Sequence, residues 1–361
     1  MSSIPAGRAS GSLLPVLRRY AWLGYFVLAF GVVLLLVVGA GGTPGDALYG
    51  WWKGSFGTQY NLIQTLASAV PIAAVALGVE VGLRAGVISL GAQGQMIIAA
   101  IAVTFFALTV APSLPAWLAL PAGVLVAAAA GGVWALIPAL AKVYWNVNEL
   151  LFAILANYLA VYFLAWVLRN PLRDPGGAAT PQSAKLPEAY VIPLLPFDGR
   201  LHWGLLLVVA GAVVFFLWNR SRSAFVLGVF GSRPNLAERL GLSRARAIIG
   251  ALLIAGAAAG VAGWMQLAGV NERLREGIDG GIGFTGLVAV LARGNPFGIV
   301  LASVLAASFV TGANGIQVES GSVPAAIGEV MQGVLLFAAA LAIAYDAIRR
   351  QREGVGTKGT L

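Results

Sequence analysis

Runs of roughly twenty apolar residues recur along this chain, and they constrain its fold more than any other feature. A segment of that kind finds no water in a bilayer for its backbone N–H and C=O groups, so it closes those hydrogen bonds within itself as an α-helix. The expected fold is therefore an all-α, polytopic membrane protein. The composition bears this out: of the 361 residues 59% are hydrophobic and only 10% are charged, with a mean hydropathy of +0.86. Soluble domains carry about 25% charged residues. The formal charge of +9 is no nucleic-acid signal, because its Lys and Arg residues fall in short connections rather than on one soluble face. Forty-seven glycines and no cysteine fit close helix packing without a disulfide framework.

The runs predict about ten transmembrane helices, some short or broken. The first covers 21–40 and is too long for a signal-peptide core. Residues 41–60 read as an outer loop with Trp51 and Trp52 at the headgroup level. The second covers 62–79, and Glu80 and Arg84 follow it four apart, on one helical face where they can pair. Residues 82–100 (GLRAGVISLGAQGQMIIAA) are interrupted by Gly86, Gly91 and Gly94 with Gln93 and Gln95. Such a break at membrane depth is tolerated only in contact with protein or beside a cavity. The third helix runs on to Val110, the fourth covers 117–140, and the fifth covers 148–167. Glu149 and Asn157 in the fifth are about 80° apart around the axis, so both can face one side.

Residues 169–201 form the longest polar connection and are expected to lie outside, with a short surface helix. His202, the single histidine, stands at the entrance to the sixth span, 205–218. The seventh, 248–267, carries a small-residue packing face at Gly256, Gly260 and Gly263. A short eighth span ends in a turn at 293–296, the ninth covers 297–311, and the tenth, 324–345, holds Glu329. In this layout Arg8, Arg18, Arg19, Arg84, Lys142, Arg220, Arg222, Arg233, Arg239, Arg244, Arg246, Arg293, Arg349, Arg350, Arg352 and Lys358 lie inside. Only Lys53, Arg169, Arg173, Lys185, Arg200, Arg273 and Arg275 lie outside. The asymmetry places both termini in the cytoplasm.

Between the sixth and seventh spans lies one polar island, 221–247, with many arginines and a single acid, Glu238. Ser232 is expected to cap a helix of about two turns, with Pro234 in its first turn and Gly241 as its stop. Leu236 and Leu240 form a small apolar stripe on it. A docking element, an anionic-lipid contact and a plain solvated loop are all open from composition alone.

Chemistry is scarce. One histidine and no cysteine leave no expected catalytic residue, metal site or cofactor. No lysine follows a glycine, so the chain has no phosphate-cradling GxxxxGK[ST] loop, and any ATPase driving it is another polypeptide. Acids in spans mark candidate function; only Glu80, Glu149 and Glu329 qualify, and they form no series suited to a proton relay. An ion- or proton-coupled carrier is the alternative to an ATP-driven one. The passage residues are expected to be Gln93, Gln95, Glu149, Asn157, Phe284 and Glu329.

Four motifs in order resemble the integral-membrane permeases of bacterial ABC importers for simple sugars and nucleosides, related to ribose and branched-chain amino-acid permeases. They are the Gly82–Ala100 segment, the Asn148, Glu149, Asn157 and Tyr158 positions, the island with Gly231, Pro234, Ala237 and Gly241 in register, and GIGFTGLVAVLARGNPFGI. Ala153, Ala156 and Arg233 stand where Thr, Leu and Asn are more usual. The likeness runs from Leu62 to Asp346. It implies a permease subunit for a nucleoside or simple sugar, not an enzyme. Its implied partners are ABC ATPase subunits, a second permease subunit, the same or a paralogous chain, and an extracytoplasmic substrate-binding protein in the bacterial inner membrane. Residues 1–20 and 347–361 become cytoplasmic tails around a permease domain, 21–346, whose coupling loop is 219–247 and outer loop 169–201. Gly231, Pro234, Leu236, Ala237, Arg239, Leu240 and Gly241 become the coupling contact with the ATPase.

Overall fold

The computed structural model describes residues 21–356, apart from 178–179, 293 and 322–325. The expectations for the 1–20 tail, for Arg293 and Pro324, and for the last five residues lie outside these. The regular elements among the described residues are all helices, and beside them stand two isolated β-bridges, Gln182 with Arg275 and Leu194 with His202.

Helix α1 is Ala21–Gly39. The expected loop at 41–60 is instead a second helix, α2, Pro44–Phe56. Thr43 accepts the Asp46 N–H and Pro44 occupies the first turn, a helix start that the many Gly and Trp residues obscured. Trp51 is not at a headgroup surface; it packs among Phe30, Phe56 and Phe309. Trp52 is exposed.

Helix α3, Gln59–Arg84, runs through Pro71 and stops at the break. Helix α4, Ala92–Phe105, resumes after it and ends in one π-helical turn, Phe106–Val110. Helix α5 is Ala116–Trp145, stopped by Asn146 at φ 50°. Helix α6, Glu149–Arg169, is capped by Asn148, whose side chain accepts the Leu150 and Leu151 N–H groups. The connection that follows contains a single 3₁₀ turn, Glu188–Tyr190. Helix α7, Gly204–Trp218, bends by 78° into α8, Arg222–Ser232. Then come α9, Pro234–Arg239, and α10, Arg244–Met265, which ends in a π-helical turn, Gln266–Asn271. Helix α11, Ile282–Ala289, tightens into Val290–Ala292. Helices α12, Pro296–Ser320, and α13, Ile327–Gly356, complete the described chain.

Six described helices are long and apolar enough to cross a membrane, and a seventh span arises if the bent α7–α8 pair is one. Three shorter apolar stretches stand beside them among the residues whose side chains are described: 23–39 within α1, 282–292, and 327–342 within α13. The expected count of ten is therefore not reached on length and apolarity alone.

Small residues set the packing. A Cβ on Gly131, Gly256 or Gly260 would collide with the facing backbone where α5 crosses α10, so these two helices touch main chain to main chain. Gly50 and Gly54 on α2 meet Gly312 and Gly315 on α12 in the same way. Helix α3 is the centre of the bundle, with 72% of its span buried, whereas α6 buries only 28%. The outward side chains of α6 are apolar, among them Leu151, Leu155, Leu159 and Tyr162. This inversion of the soluble pattern is what a hydrocarbon solvent selects.

Candidate functional site

The bundle has two distinct ends. One, the cap end, carries the 170–203 and 272–281 connections. The other, the knob end, carries α8 and α9.

Below the cap, α3, α10, α11 and α12 surround a cavity of about 220 Å³. Gln64 and Ser68 reach it from α3, Gln266 from the π-helical end of α10, and Thr285 from α11, with Ile72 and Val310 as apolar walls. The Gln64 Oε1 acceptor is buried without a partner. The Thr285 hydroxyl donates to the Gly281 carbonyl, which leaves its oxygen free to accept. Among the described residues no charged side chain lines this space. π-helical turns concentrate at functional sites because the extra residue re-aims neighbouring side chains; here the turn begins at Gln266.

The cap above is held by ion pairs and by main-chain bonds. Lys185 meets Glu272 at 2.7 Å, Arg169 meets Glu276 at 2.9 Å, and Arg273 meets Asp174 at 3.0 Å. The Ser183 and Leu186 N–H groups donate to the Leu274 and Glu272 carbonyls. The Gly176 N–H, assisted by Arg273, holds the Asp174 carboxyl below the usual range. His202 belongs to this cap and is fully buried, between Gly204 and Gly269. Its Nδ1 accepts the Gly204 N–H at 3.1 Å. Burial lowers its pKa to about 4. The absence of a Cβ on Gly269 makes room for the ring, so the sequence position of His202 at a span entrance was a poor guide to its surroundings.

The expected passage residues separate. Gln93 and Phe284 come together, because Gly283 lies against the Gln93 backbone where α4 and α11 begin, and both side chains are half-buried. Gln95 and Asn157 are buried at the 85–91 break instead. Asn157 Oδ1 accepts the Gly94 N–H and its Nδ2 donates to the Leu90 carbonyl, both at 2.9 Å, so the amide closes main-chain groups that no helix satisfies. Glu149 sits at the knob end, in the first turn of α6, 2.8 Å from Lys142. Glu329 is in the first turn of α13, and it is exposed on the surface rather than inside the bundle. Both carboxylates suit a helix N-terminus, which attracts negative charge. Gln64, Ser68, Gln266 and Thr285 were missed. Gln64 and Ser68, four apart on one helical face, were the available signal.

At the knob end the short helix α9 forms as expected, with Pro234 in its first turn. Gly241 adopts φ +74° as its stop, where a side chain would be strained. Ser232 is not its cap. The apolar stretch 224–230 continues as α8, and Ser232 ends that helix with its Oγ donating to the Gly228 carbonyl at 2.8 Å. Ala237 is fully buried against the chain, whereas Leu236 is 43% and Leu240 66% exposed. Arg239 beside them is also exposed. Gly231 packs on the Arg84 carbonyl and on Gly86, whose φ is +78°.

Residues 61–340 match the family described as the branched-chain amino acid transport system, permease component. The chain is 32% identical to the glucose ABC transporter permease protein TsgB13 of Haloferax volcanii, over 93% of this chain and 91% of that one. It is 31% identical to the guanosine ABC transporter permease protein NupP of Bacillus subtilis, over 86% and 90% of the two chains. With the nucleoside ABC transporter permease protein NupB of Lactococcus lactis the identity is 24%, over 86% and 87%.

Proposed function

This chain belongs to the family of permease components of branched-chain amino acid transport systems, and on that premise we propose how it moves its solute. It is a transporter subunit of the simple-sugar and nucleoside ABC importer type, not an enzyme. Its working partners are an ABC ATPase and a substrate-binding protein.

The observation that carries the reading of the passage is the uncharged, hydrogen-bonding lining of the cavity under the cap. Gln64, Ser68, Gln266 and Thr285 offer amide and hydroxyl groups with apolar walls beside them. That combination suits a neutral, polyhydroxylated solute, which a nucleoside and a simple sugar both are. Gln93 and Phe284 continue the passage toward the knob end. Gln95 and Asn157 act on it through the break that they hold, and Glu149 stands at its knob end.

Helix α9 is the contact with the ATPase. Leu236 and Leu240 fill an apolar groove on that partner, Arg239 stands at the rim, and Gly231, Pro234, Ala237 and Gly241 set the helix on the bundle. The exposure of two leucines on a capped helix whose Ala237 is buried against the chain supports a covering partner. The knob end is then cytoplasmic, both termini are inside, and the permease domain is 21–346 between tails at 1–20 and 347–361. The six long helices, the bent pair and the three shorter apolar ones together make ten crossings. A second permease subunit, the same or a paralogous chain, covers part of the exposed apolar surface.

Reconstitution in proteoliposomes with the ATPase and binding protein tests this. Gln64→Ala and Gln266→Ala are expected to raise the solute concentration for half-maximal uptake. Leu236→Asp is expected to abolish ATP-driven uptake while the protein still inserts. Parental uptake in all three would overturn the reading.

A further inference from the structure

One buried ion pair joins three parts that the sequence keeps far apart. Glu80 is 3% exposed near the knob end of α3. Its Oε1 accepts the Arg84 Nε–H at 3.3 Å and, from the turn before α12, the Gly294 N–H at 3.1 Å. The Arg84 guanidinium lies over the Phe215 and Trp218 rings at the end of α7, 5.3 and 5.6 Å from their centroids. Trp218 in turn donates its Nε1–H to Ser223 Oγ at 2.9 Å, and Ser223 Oγ is 2.8 Å from Ser221 Oγ, which caps α8. Asn219 adds a second tie, donating to the Gly294 carbonyl at 3.3 Å. The far end of α8 returns to the same place, since Gly231 packs on the Arg84 carbonyl. Both ends of α8, the helix that carries α9, therefore bear on this one pair.

We propose that Glu80 and Arg84 are positioning residues that transmit movement of the docking segment to the α11–α12 turn, and so open or close the passage. The proposal rests on the permease reading given above. Its physical basis is the unlike nature of the two contacts. A guanidinium over aromatic faces keeps its attraction as it slides, because the ring quadrupole has no single bonding direction. A carboxylate that accepts a main-chain N–H has a directed bond. Bending at the α7–α8 corner is thus absorbed over the rings and delivered through Glu80 to Gly294. From there it reaches α11 and α12, which bring Thr285 and Val310 to the cavity. A buried carboxylate is costly to keep unless its partners use it, and here those partners span the moving parts.

The test uses the full importer in proteoliposomes, with this chain, its partner permease, the ATPase and the loaded binding protein, and reads solute moved per ATP hydrolysed. Glu80→Gln keeps an acceptor for Gly294 but removes the charge facing Arg84. Arg84→Lys keeps the charge but loses the planar contact with the rings. Each variant is expected to retain stimulated ATP hydrolysis while transport per ATP falls about fivefold or more, the low end of coupling energies between distant sites. Leu236→Asp, by contrast, lowers hydrolysis and uptake together. A parental transport-to-ATP ratio in either variant overturns the proposal, as does a parallel loss of both activities in an assembled complex. If Glu80→Gln does not assemble, Arg84→Lys decides by the same ratio. Absence of ATP-driven uptake by the unsubstituted assembly would instead sink the permease reading itself.

Discussion

Two interruptions of the helices near the knob end, one after α3 and one before α12, are closed differently. At 85–91, after α3, the loose main-chain groups Leu90 C=O and Gly94 N–H are taken by Asn157, a neutral amide from α6. At 294–295, before α12, the Gly294 N–H is taken by Glu80 and its carbonyl by Asn219. Asn157 engages only the break. Glu80 also holds Arg84, and through it the aromatic end of α7. Irregular backbone needs a polar partner wherever water is excluded. An amide supplies that partner at little electrostatic cost, whereas a carboxylate requires a cation as well and so recruits a third element.

If that contrast is correct, stripping the charged closure costs more than stripping the neutral one. Glu80→Leu leaves Arg84 and Gly294 without their acceptor and is expected to destabilise the fold by roughly 3–5 kcal/mol. Asn157→Leu leaves one donor and one acceptor buried and is expected to cost roughly 3 kcal/mol. Apparent melting temperatures in detergent rank the two, and the reverse order would erase the distinction between the breaks.

The cap end provides a buried group outside either break. His202 titrates near 4 in the fold against 6.5 when unfolded, so the unfolded chain binds the proton first. Stability is level above pH 6.5 and declines as the pH falls from there to about 4. The loss is roughly 2 kcal/mol at pH 5, and His202→Gln should flatten that slope in a pH series of melting curves. The smallest effect belongs to Asn219→Ala, which removes the second tie to Gly294 and is expected to cost about 1 kcal/mol. It should leave the Glu80 contact in place and lower transport per ATP less than Glu80→Gln does.

Much of this architecture was legible in the chain. The break after α3 followed from Gly86, Gly91 and Gly94, the pairing of Glu80 with Arg84 from their spacing, and the short helix α9 from Pro234 and Gly241. Local signals were also misread. Thr43 and Pro44 start α2 plainly, yet glycines and tryptophans made the segment look like a loop. Ser232 had the right identity for a cap but closes the preceding helix, because 224–230 is apolar enough to stay helical. The cavity was illegible for a different reason. Its polar residues come from three separate helices, and the spacing of Gln64 and Ser68 along one of them does not reveal what they face.

The sequence by itself determined that the chain is helical and membrane-embedded, where its helices break, and that a short helix stopped by a glycine interrupts the apolar blocks. Those properties follow from hydrophobic run length, backbone hydrogen bonding and the conformations that glycine and proline allow, all of them local. Only the tertiary structure decided that Asn157 closes a break, that Gln64 shares a cavity with Gln266, and that Glu80 meets Gly294. Those contacts join residues far apart in the chain, and they exist because glycine-lined helices approach closely enough for one side chain to satisfy another segment's backbone.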